Sequence, residues 1–450
     1  MKHIPVAITI AGSDSGGGAG IEADLKTFMA LGVHGTVAIT SVTAQNTYEV
    51  TAIHDIPADV VYKQIEAIAI DMGIDAGKTG MLSNKNIIEA VAKAVEDYDF
   101  PLVIDPVMIA KSGAKLLRED AIETLIKKLL PKAKVVTPNA PEASRLTGIK
   151  VVDLETARKA AKYLVEEIGV EAAIVKGGHL TGDKSIDILY WNKKFYELEA
   201  PRIKDGCTHG TGCAFSAAIA AGLAKGYNVV EAVKKAKDFI TLAIDYGLKI
   251  GKGHCPVNPA SWIEIPAYKF SVIENIKNAL NKLLEKGELI HRYVPEVGMN
   301  LVMALPAQYA RTVNDVAGVL GRIVKYGKTI KPVGPIEFGA SSHLARLVLA
   351  ILKHDPRVRA AVNVKYSEDL VERAKSRGYN VVFIDRRREP EDLKKREGST
   401  MQWIVDEVFR EKENTPDIIY DVGDVGKEAM IRVLGESAAD VVNKLINIIE

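Results

Sequence analysis

Asp205-Gly206-Cys207-Thr208-His209-Gly210-Thr211-Gly212-Cys213-Ala214 is the stretch on which the reading of the chain turns. Before it, residues 195–203 alternate apolar and polar side chains, as a strand does. After it, residues 214–224 are small and apolar, as in a tightly packed helix. A glycine-rich turn that opens a helix aims several free backbone N–H groups in one direction. The helix dipole adds partial positive charge there, so the turn suits an anion. Gly210 and Gly212 let the backbone approach a phosphate with no Cβ in the way. Cys213 falls in the first helical turn, where a thiol is expected to have a lowered pKa and an accessible thiolate. An anion cradle beside a basic side chain is what phosphoryl transfer to a hydroxyl requires: one part holds charge, the other takes the proton. Taken alone, the stretch is equally a Gly-rich turn whose Cys is a small buried residue.

The residues upstream separate the two readings. Residues 6–10 form a short apolar run leading into Ala11-Gly12-Ser13-Asp14-Ser15-Gly16-Gly17-Gly18-Ala19-Gly20, with helical spacing over 21–31. Strand, Gly-rich loop and helix place a ligand at the carboxyl edge of a parallel sheet. The spacing is not the dinucleotide fingerprint, because position 21 is Ile21. Gly77-Lys78-Thr79 is not a Walker A tail either, because its leading Gly would fall at Met72. Residues 37–42 read as a β-branched strand ending at Thr43-Ala44-Gln45-Asn46-Thr47, where Gln45 offers a donor and acceptors to a heterocycle edge. As a lone loop residue Gln45 would simply be solvated, and Met81 would be an ordinary core Met as readily as the wall of a site. Asp105 ends the buried run Leu102-Val103-Ile104, in a position suited to Mg²⁺ or phosphate. Asn139 and Glu142, three apart at a helix start after Val135-Val136, reach one metal–water cluster or else form a helix cap. Lys176 ends the run 172–175 as a point charge for phosphate. Polar residues recurring just past apolar strands, with helical patterns between them, describe an α/β sheet with one active edge.

The totals narrow the class. A chain of 450 residues exceeds one ordinary core, so two or three domains are expected. Lys plus Arg at 59 against Asp plus Glu at 58 leaves no global field for nucleic acid or an anionic membrane. No apolar run reaches the roughly 18–20 residues that span a bilayer, and Met1-Lys2-His3 leads a strand and not a signal peptide. The three cysteines, Cys207, Cys213 and Cys255, form neither a CxxC pair nor a disulfide framework, so a reducing, cytoplasmic setting is expected. His254 and Cys255, being merely adjacent, make no metal site.

With these motifs in this order, residues 1–265 resemble the ribokinase-like superfamily. Within it they resemble the hydroxymethylpyrimidine/phosphomethylpyrimidine kinases of thiamine biosynthesis, which have Cys at position 213 where the superfamily usually has Asp. The resemblance implies a three-layer αβα sandwich with a mostly parallel sheet. It implies ATP and Mg²⁺ as cofactors and two successive phosphorylations of an aminopyrimidine alcohol at one site. Gly12, Gln45, Met81 and Val107 would surround the pyrimidine. Asn139, Glu142, Lys176 and Thr208 would hold ATP, with Asp105 and Glu142 towards the metal. Lys176, Gly210 and Gly212 would serve the transferring phosphoryl group, and Cys213 would be the base of the first step. Pairing as a homodimer is a further implication. A pyridoxal-type acceptor is the alternative within the superfamily.

Clustered Gly and Pro over 251–259, with Pro266 after them, read as the domain's close, and 266–272 as a linker to a smaller α/β domain over 273–450. There the patterns predict strands at 300–305, 360–366, 381–384 and 417–420. They predict helices at 312–326, 341–352, 367–377, 400–409 and from 428 onward. Asp385-Arg386-Arg387-Arg388 follows a strand, where arginines meet anions; the bland alternative, a solvated basic turn, suits Arg388 better than Arg386. Glu397-Gly398-Ser399-Thr400 and Gly423-Asp424-Val425-Gly426-Lys427 precede helices and suit phosphate. With Gly339-Ala340-Ser341-Ser342-His343, these stretches resemble the thiamine-phosphate synthase domain fused to such kinases in archaea and some bacteria. The resemblance carries over Arg322 and His343 as catalytic, and implies Arg386, Ser341, Ser342 and Lys427 around the substrates, thiazole phosphate among them. A related, non-catalytic sensor of thiamine phosphate is the alternative. With no basic helix-turn-helix segment and no basic stripe, no nucleic-acid partner is expected.

Overall fold

Nine strands build the first sheet: β1 (Val6–Asp14), β2 (His34–Gln45), β3 (Val50–Asp55), β4 (Ala76–Thr79), β5 (Leu102–Ile104), β6 (Val135–Val136), β7 (Ala172–Val175), β8 (Lys184–Trp191) and β9 (Lys194–Pro201). The computed structural model describes residues 4–110, 113–179, 182–395, 398–411, 414–424 and 426–450. Met1-Lys2-His3, Glu397 and Val425 lie outside them. The chain divides into two units between Ile263 and Glu264.

In the first unit the strand order is β3-β2-β1-β4-β5-β6-β7-β8-β9. The run from β2 to β7 is parallel, and β3, β8 and β9 add antiparallel edges. Period-two alternation sends the side chains of each strand to two cores. Ile8, Ile10, Leu102 and Ile104 meet the helices Ala58–Asp71, Lys85–Tyr98 and Leu154–Glu166 on one face. Ala7, Val103, Val135 and Ile174 meet Gly20–Ala30, Thr211–Ala224 and Val229–Asp245 on the other. This is the expected three-layer αβα sandwich. The order in which strands are added to the sheet reverses between the parallel neighbours β1 and β4, and their carboxyl ends open a crevice there, where open α/β sheets bind ligands. The helix Thr211–Ala224 is buried almost all round, and its small residues make that possible. A Cβ on Gly222 would stand 2.8 Å from Ala232 Cβ, so the helix is held tightly against Val229–Asp245.

One expectation about this unit fails. Cys207 and Cys255 form a disulfide across 48 residues of sequence. The bridge between His209 and Pro256 lays the two segments side by side, a proximity that local spacing cannot reveal.

The second unit contains β10 (Leu301–Ala304), β11 (Val316–Val319), β12 (Ile323–Tyr326), β13 (Thr329–Pro332), β14 (Ile336–Phe338), β15 (Ala360–Lys365), β16 (Val381–Phe383), β17 (Ile418–Asp421) and β18 (Met430–Gly435). Its seven-stranded sheet, ordered β14-β11-β10-β15-β18-β17-β16, is antiparallel except for the β16–β17 pair, and β12–β13 is a separate hairpin. Helices His343–Leu352 and Ser399–Glu411 share one core with it.

Three sequence expectations are corrected here. Residues 312–326 are not a helix but a short 3₁₀ turn, β11 and β12. Val313, Val316, Leu320 and Ile323 mimic helical spacing, but Gly321 and Arg322 turn the chain with φ of 70° and 75°. Residues from 428 onward do not begin with a helix. Met430–Gly435 is a strand between β15 and β17, buried on both faces, and such a strand has no alternation to betray it. Finally, 266–272 is no loop linker, because the helix Ser261–Glu285 runs through it. Pro266 removes one i→i−4 bond without ending that helix. No helix among the described residues is long and apolar enough to cross a membrane.

Candidate active site

The carboxyl ends of β1, β2, β4, β5, β6 and β7 and the loop before Thr211–Ala224 surround one cavity of about 1050 Å³. Gly12, Gln45, Met81 and Val107 line it. So do Asp105, Asn139, Glu142, Lys176, Thr208, Gly210, Gly212 and Cys213. Every residue singled out in the first unit therefore faces the same space, although the chain separates them by up to about two hundred positions.

Local bonds explain how each is held. Gln45 is pinned by its backbone, its N–H donating to Ser15 Oγ (2.8 Å) and its carbonyl accepting from that hydroxyl (2.7 Å). Met81 is buried, its sulfur against Gly12. Asn139 and Glu142 form a reciprocal helix cap, each side chain accepting the other's backbone N–H at 2.8 Å. The cap reading and the site reading thus hold together, for both residues also border the cavity. Lys176 Nζ lies 3.0 Å from Asp105 Oδ1, and Thr137 Oγ1 donates to the same oxygen at 3.3 Å. Gly210 takes φ of 78° at the start of the helix, a backbone open to glycine above all.

The electrostatics correct one expectation. Burial pushes the Cys213 thiol up to about 11. Lys78 works against that rise, and Asp24 and Asp105 add to it. The helix start alone does not make it a resting thiolate. Burial also pushes Glu142 up to about 7, with Lys176 opposing and Asp105 reinforcing. Burial works against the Lys176 charge, but Asp105 and Glu142 hold its proton above the usual lysine range.

Four residues of this region carry no role in the sequence reading. Lys78 and Asp24 form a fully buried ion pair at 2.7 Å. Asp14 and His209 meet at 3.2 Å on the cavity's border. An Asp and a Lys inside apolar runs were the available signals for the first pair. No local signal marks the second.

In the second unit, Arg322 sits in the tight turn before β12, its guanidinium donating to the Val297 carbonyl. Ser341 and Ser342 precede the helix that His343 opens. His343 is open to solvent on one side. Loss of water on the other, then Arg432, Arg346, Arg386 and Arg322, hold its imidazole below the usual range. The basic turn divides sharply: Arg386 is buried, whereas Arg387 and Arg388 are exposed. Arg386 Nη2 lies 3.1 Å from Glu389, and Arg386 Nη1 lies 3.7 Å from Asp421. Asp421 also holds Arg432 at 2.8 Å, and Glu389 holds Lys427 at 3.3 Å and the Thr400 hydroxyl at 2.5 Å. Glu389, Asp421 and Arg432 were missed. The Arg inside Met430-Ile431-Arg432-Val433-Leu434 was the signal for a buried, paired cation.

Residues 14–258 match the family model described as phosphomethylpyrimidine kinase. The chain belongs to that family. Residues 275–447 match a second family model, described as thiamine-phosphate synthase ThiN. The hydroxymethylpyrimidine/phosphomethylpyrimidine kinase of Haemophilus influenzae is 51% identical over 263 residues, 57% of this chain and 97% of that protein. The thiamine biosynthesis bifunctional protein ThiED of Geobacter sulfurreducens is 46% identical over 252 residues, 56% of this chain and 51% of that protein. Among solved structures, the pyridoxal kinase from Staphylococcus aureus in complex with AMP-PCP and pyridoxal gives a TM-score of 0.53 at 39% identity. It covers 58% of this chain and 95% of that one. The chain is thus a transferase of thiamine biosynthesis with the ribokinase-like fold in its first unit.

Proposed function

We propose that the chain performs three successive transfers. The first unit moves a phosphoryl group from ATP to the hydroxymethyl oxygen of 4-amino-5-hydroxymethyl-2-methylpyrimidine, releasing ADP. It then adds a second phosphoryl group to the monophosphate, again releasing ADP. The second unit joins the pyrimidine methylene of that diphosphate to the nitrogen of thiazole phosphate, and inorganic diphosphate leaves.

The observation that carries the kinase reading is the single cavity, which has a part suited to a flat heterocycle and a part suited to phosphates. Gln45, Met81 and Val107 line it, and in this reading they hold the pyrimidine, the Gln amide by hydrogen bonds and the others by apolar contact. Lys176 neutralises charge on the transferring group, and the Gly210 and Gly212 amides accept its developing negative charge. Cys213 takes the alcohol proton in the first step. Because burial holds the thiol near 11 even with Lys78 beside it, the thiolate needs a further cation, one that arrives with ATP. The second step needs no such base, since its acceptor is already a phosphate anion.

Magnesium fits this site as a companion of ATP. No group of three or more His, Cys, Asp or Glu side chains gathers among the described residues. A phosphate-borne Mg²⁺ needs just one or two carboxylates, with phosphates and water completing its shell. Glu142 is already raised by burial and by Asp105, and a cation between the two would relieve that strain. Once bound, the metal would screen the β- and γ-phosphate charges.

The arginines around His343 support the synthase reading. Diphosphate departs readily where several cations await it. In this reading Arg322 meets the diphosphate, Arg386, buried against Glu389 and Asp421, supports the positive field, and the neutral imidazole of His343 donates a hydrogen bond to the leaving group. Ser341 and Ser342 at the helix start and Lys427 would complete the phosphate contacts. The test is direct. The purified chain is given the aminopyrimidine alcohol, ATP and Mg²⁺, and the monophosphate and diphosphate are followed by chromatography; thiazole phosphate is then added and thiamine phosphate followed. Failure to form either pyrimidine phosphate would refute the kinase assignment, and diphosphate that never couples would refute the synthase assignment.

A further inference from the structure

Two glycine loops from opposite ends of the first unit meet at the cavity. Asp14 closes β1 and folds the first loop around its carboxylate. Its Oδ1 accepts from Gly16 N–H at 2.8 Å, and its Oδ2 accepts from Gly18 N–H at 3.1 Å and Ala19 N–H at 2.8 Å. The second loop delivers His209, whose Nε2 lies 3.2 Å from that same Oδ2. An oxygen already serving as acceptor to two amides is an acceptor for the imidazole too, so Nε2 carries the hydrogen.

The backbones approach as closely as glycine permits. A Cβ on Gly18 would fall 2.3 Å from His209 Cδ2, and a Cβ on Gly210 would fall 1.8 Å from the Gly18 carbonyl oxygen. His209 is also fixed along its own backbone, its N–H donating to Cys255 O at 3.1 Å and its carbonyl accepting from Val257 N–H at 3.0 Å. Gly210, which opens the phosphate cradle, is the next residue. Neither Asp14 nor His209 has any task in the chemistry proposed above.

We infer that Asp14 and His209 form a latch, and that they are positioning residues which hold the Gly210 and Gly212 amides where the transferring phosphoryl group will sit. This rests on the kinase reading of the cavity. The latch acts through the loop and not on the substrate. Both phosphorylations use the same cradle, so both should suffer alike when it is loosened from the His209 side, whereas Gln45 keeps its own hold on the first loop through Ser15. A displacement of about 1 Å in a group that stabilises the transition state is worth on the order of a hundredfold in rate.

The experiment compares His209→Gln with His209→Asn in the full chain. The longer Gln side chain places an N–H donor near the position of Nε2; Asn falls short of Asp14. For each variant, kcat and KM are measured separately for the alcohol and for the monophosphate, with the thermal midpoint as a control for folding. The latch predicts that His209→Asn lowers kcat about 10- to 100-fold in both steps and leaves KM for the alcohol within about threefold. It predicts that His209→Gln stays within about threefold of wild type throughout. Asp14→Ala, which removes the acceptor altogether, should lower kcat of both steps at least as far as His209→Asn does. Unchanged kcat in His209→Asn, with a lower thermal midpoint alone, would overturn the latch while leaving the kinase reading intact. A loss confined to the alcohol step would also overturn it, because His209 would then act on the substrate. A wild type without turnover on either acceptor would remove the kinase reading and the latch together.

Discussion

Lys176 Nζ meets Asp105 Oδ1 at 3.0 Å across the carboxyl edge of the sheet, and Gly212 lies directly against the pair. A Cβ built on Gly212 would stand 3.1 Å from Asp105 Oδ2 and 3.4 Å from Lys176 Nζ. Anion-binding amides, a lysine and a carboxylate are thus packed so tightly that a methyl group fits only if the carboxylate gives way slightly. Gly212→Ala is expected to push the pair apart and lower kcat of both phosphorylations roughly tenfold or more. Steady-state kinetics with each acceptor checks this; unaltered kcat would mean that the cradle is not where transfer occurs.

Cys213→Ala separates the two steps. A base is needed to deprotonate an alcohol and not to engage a phosphate anion. The first phosphorylation should fall about 10²- to 10⁴-fold, the range typical of losing a general base. The second should fall less than tenfold. Single-turnover assays started from the alcohol and from the monophosphate give both numbers, and equal losses would contradict the assigned role.

Glu142 supplies a pH signature. Burial raises its carboxyl to about 7, so it is largely protonated at pH 6 and ionised at pH 8. A metal-borne nucleotide binds the ionised form. Affinity for Mg·ATP should therefore strengthen as pH rises through about 7, approaching tenfold per unit on the acid side, and level off above it. Calorimetric titration at several pH values tests this, and Glu142→Gln should abolish the dependence.

The Lys78–Asp24 pair is a stability element beneath the site. Burial works against the Lys78 charge, but Asp24 at 2.7 Å, with Cys213 and Asp105, holds its proton above the usual lysine range, whereas burial raises the Asp24 carboxyl despite Lys78 and Thr9. Asp24 Oδ2 also accepts from Thr9 Oγ1 at 2.6 Å, while its Oδ1 has no partner among the described residues. Lys78→Met therefore strands a buried carboxylate and should cost about 3–5 kcal/mol of unfolding free energy. Denaturant titration of the single variant and of Lys78→Met with Asp24→Leu checks it, the double change being expected to recover much of the loss.

What the sequence reveals follows the reach of each signal. Buried parallel strands are unbroken apolar runs, so a polar residue that ends one stands out; Asp105, Asn139 and Lys176 were legible for that reason, and the sheet brings them to one cavity. The periodicity of Val313, Val316, Leu320 and Ile323 misleads, because two positive-φ residues break the chain into strands. Met430–Gly435 is illegible as a strand because a doubly buried strand does not alternate. Contacts across long stretches of chain leave no local trace. The Cys207–Cys255 bridge and the Asp14–His209 pair, 195 residues apart, appear only once the loops are folded together. The Cys213 environment is likewise a property of the packed site, since burial reverses what a helix start implies by itself.

The most direct test of the central claim, that one chain makes the pyrimidine diphosphate and consumes it, is a single reaction containing the aminopyrimidine alcohol, ATP, Mg²⁺ and thiazole phosphate. Wild type, Cys213→Ala and His343→Ala are run in parallel, and all pyrimidine species are resolved over time. The account predicts thiamine phosphate from wild type, accumulation of the diphosphate in His343→Ala, and stalling at the alcohol in Cys213→Ala. Diphosphate accumulating in the wild type with no thiamine phosphate would contradict it and leave the second unit as a binding domain.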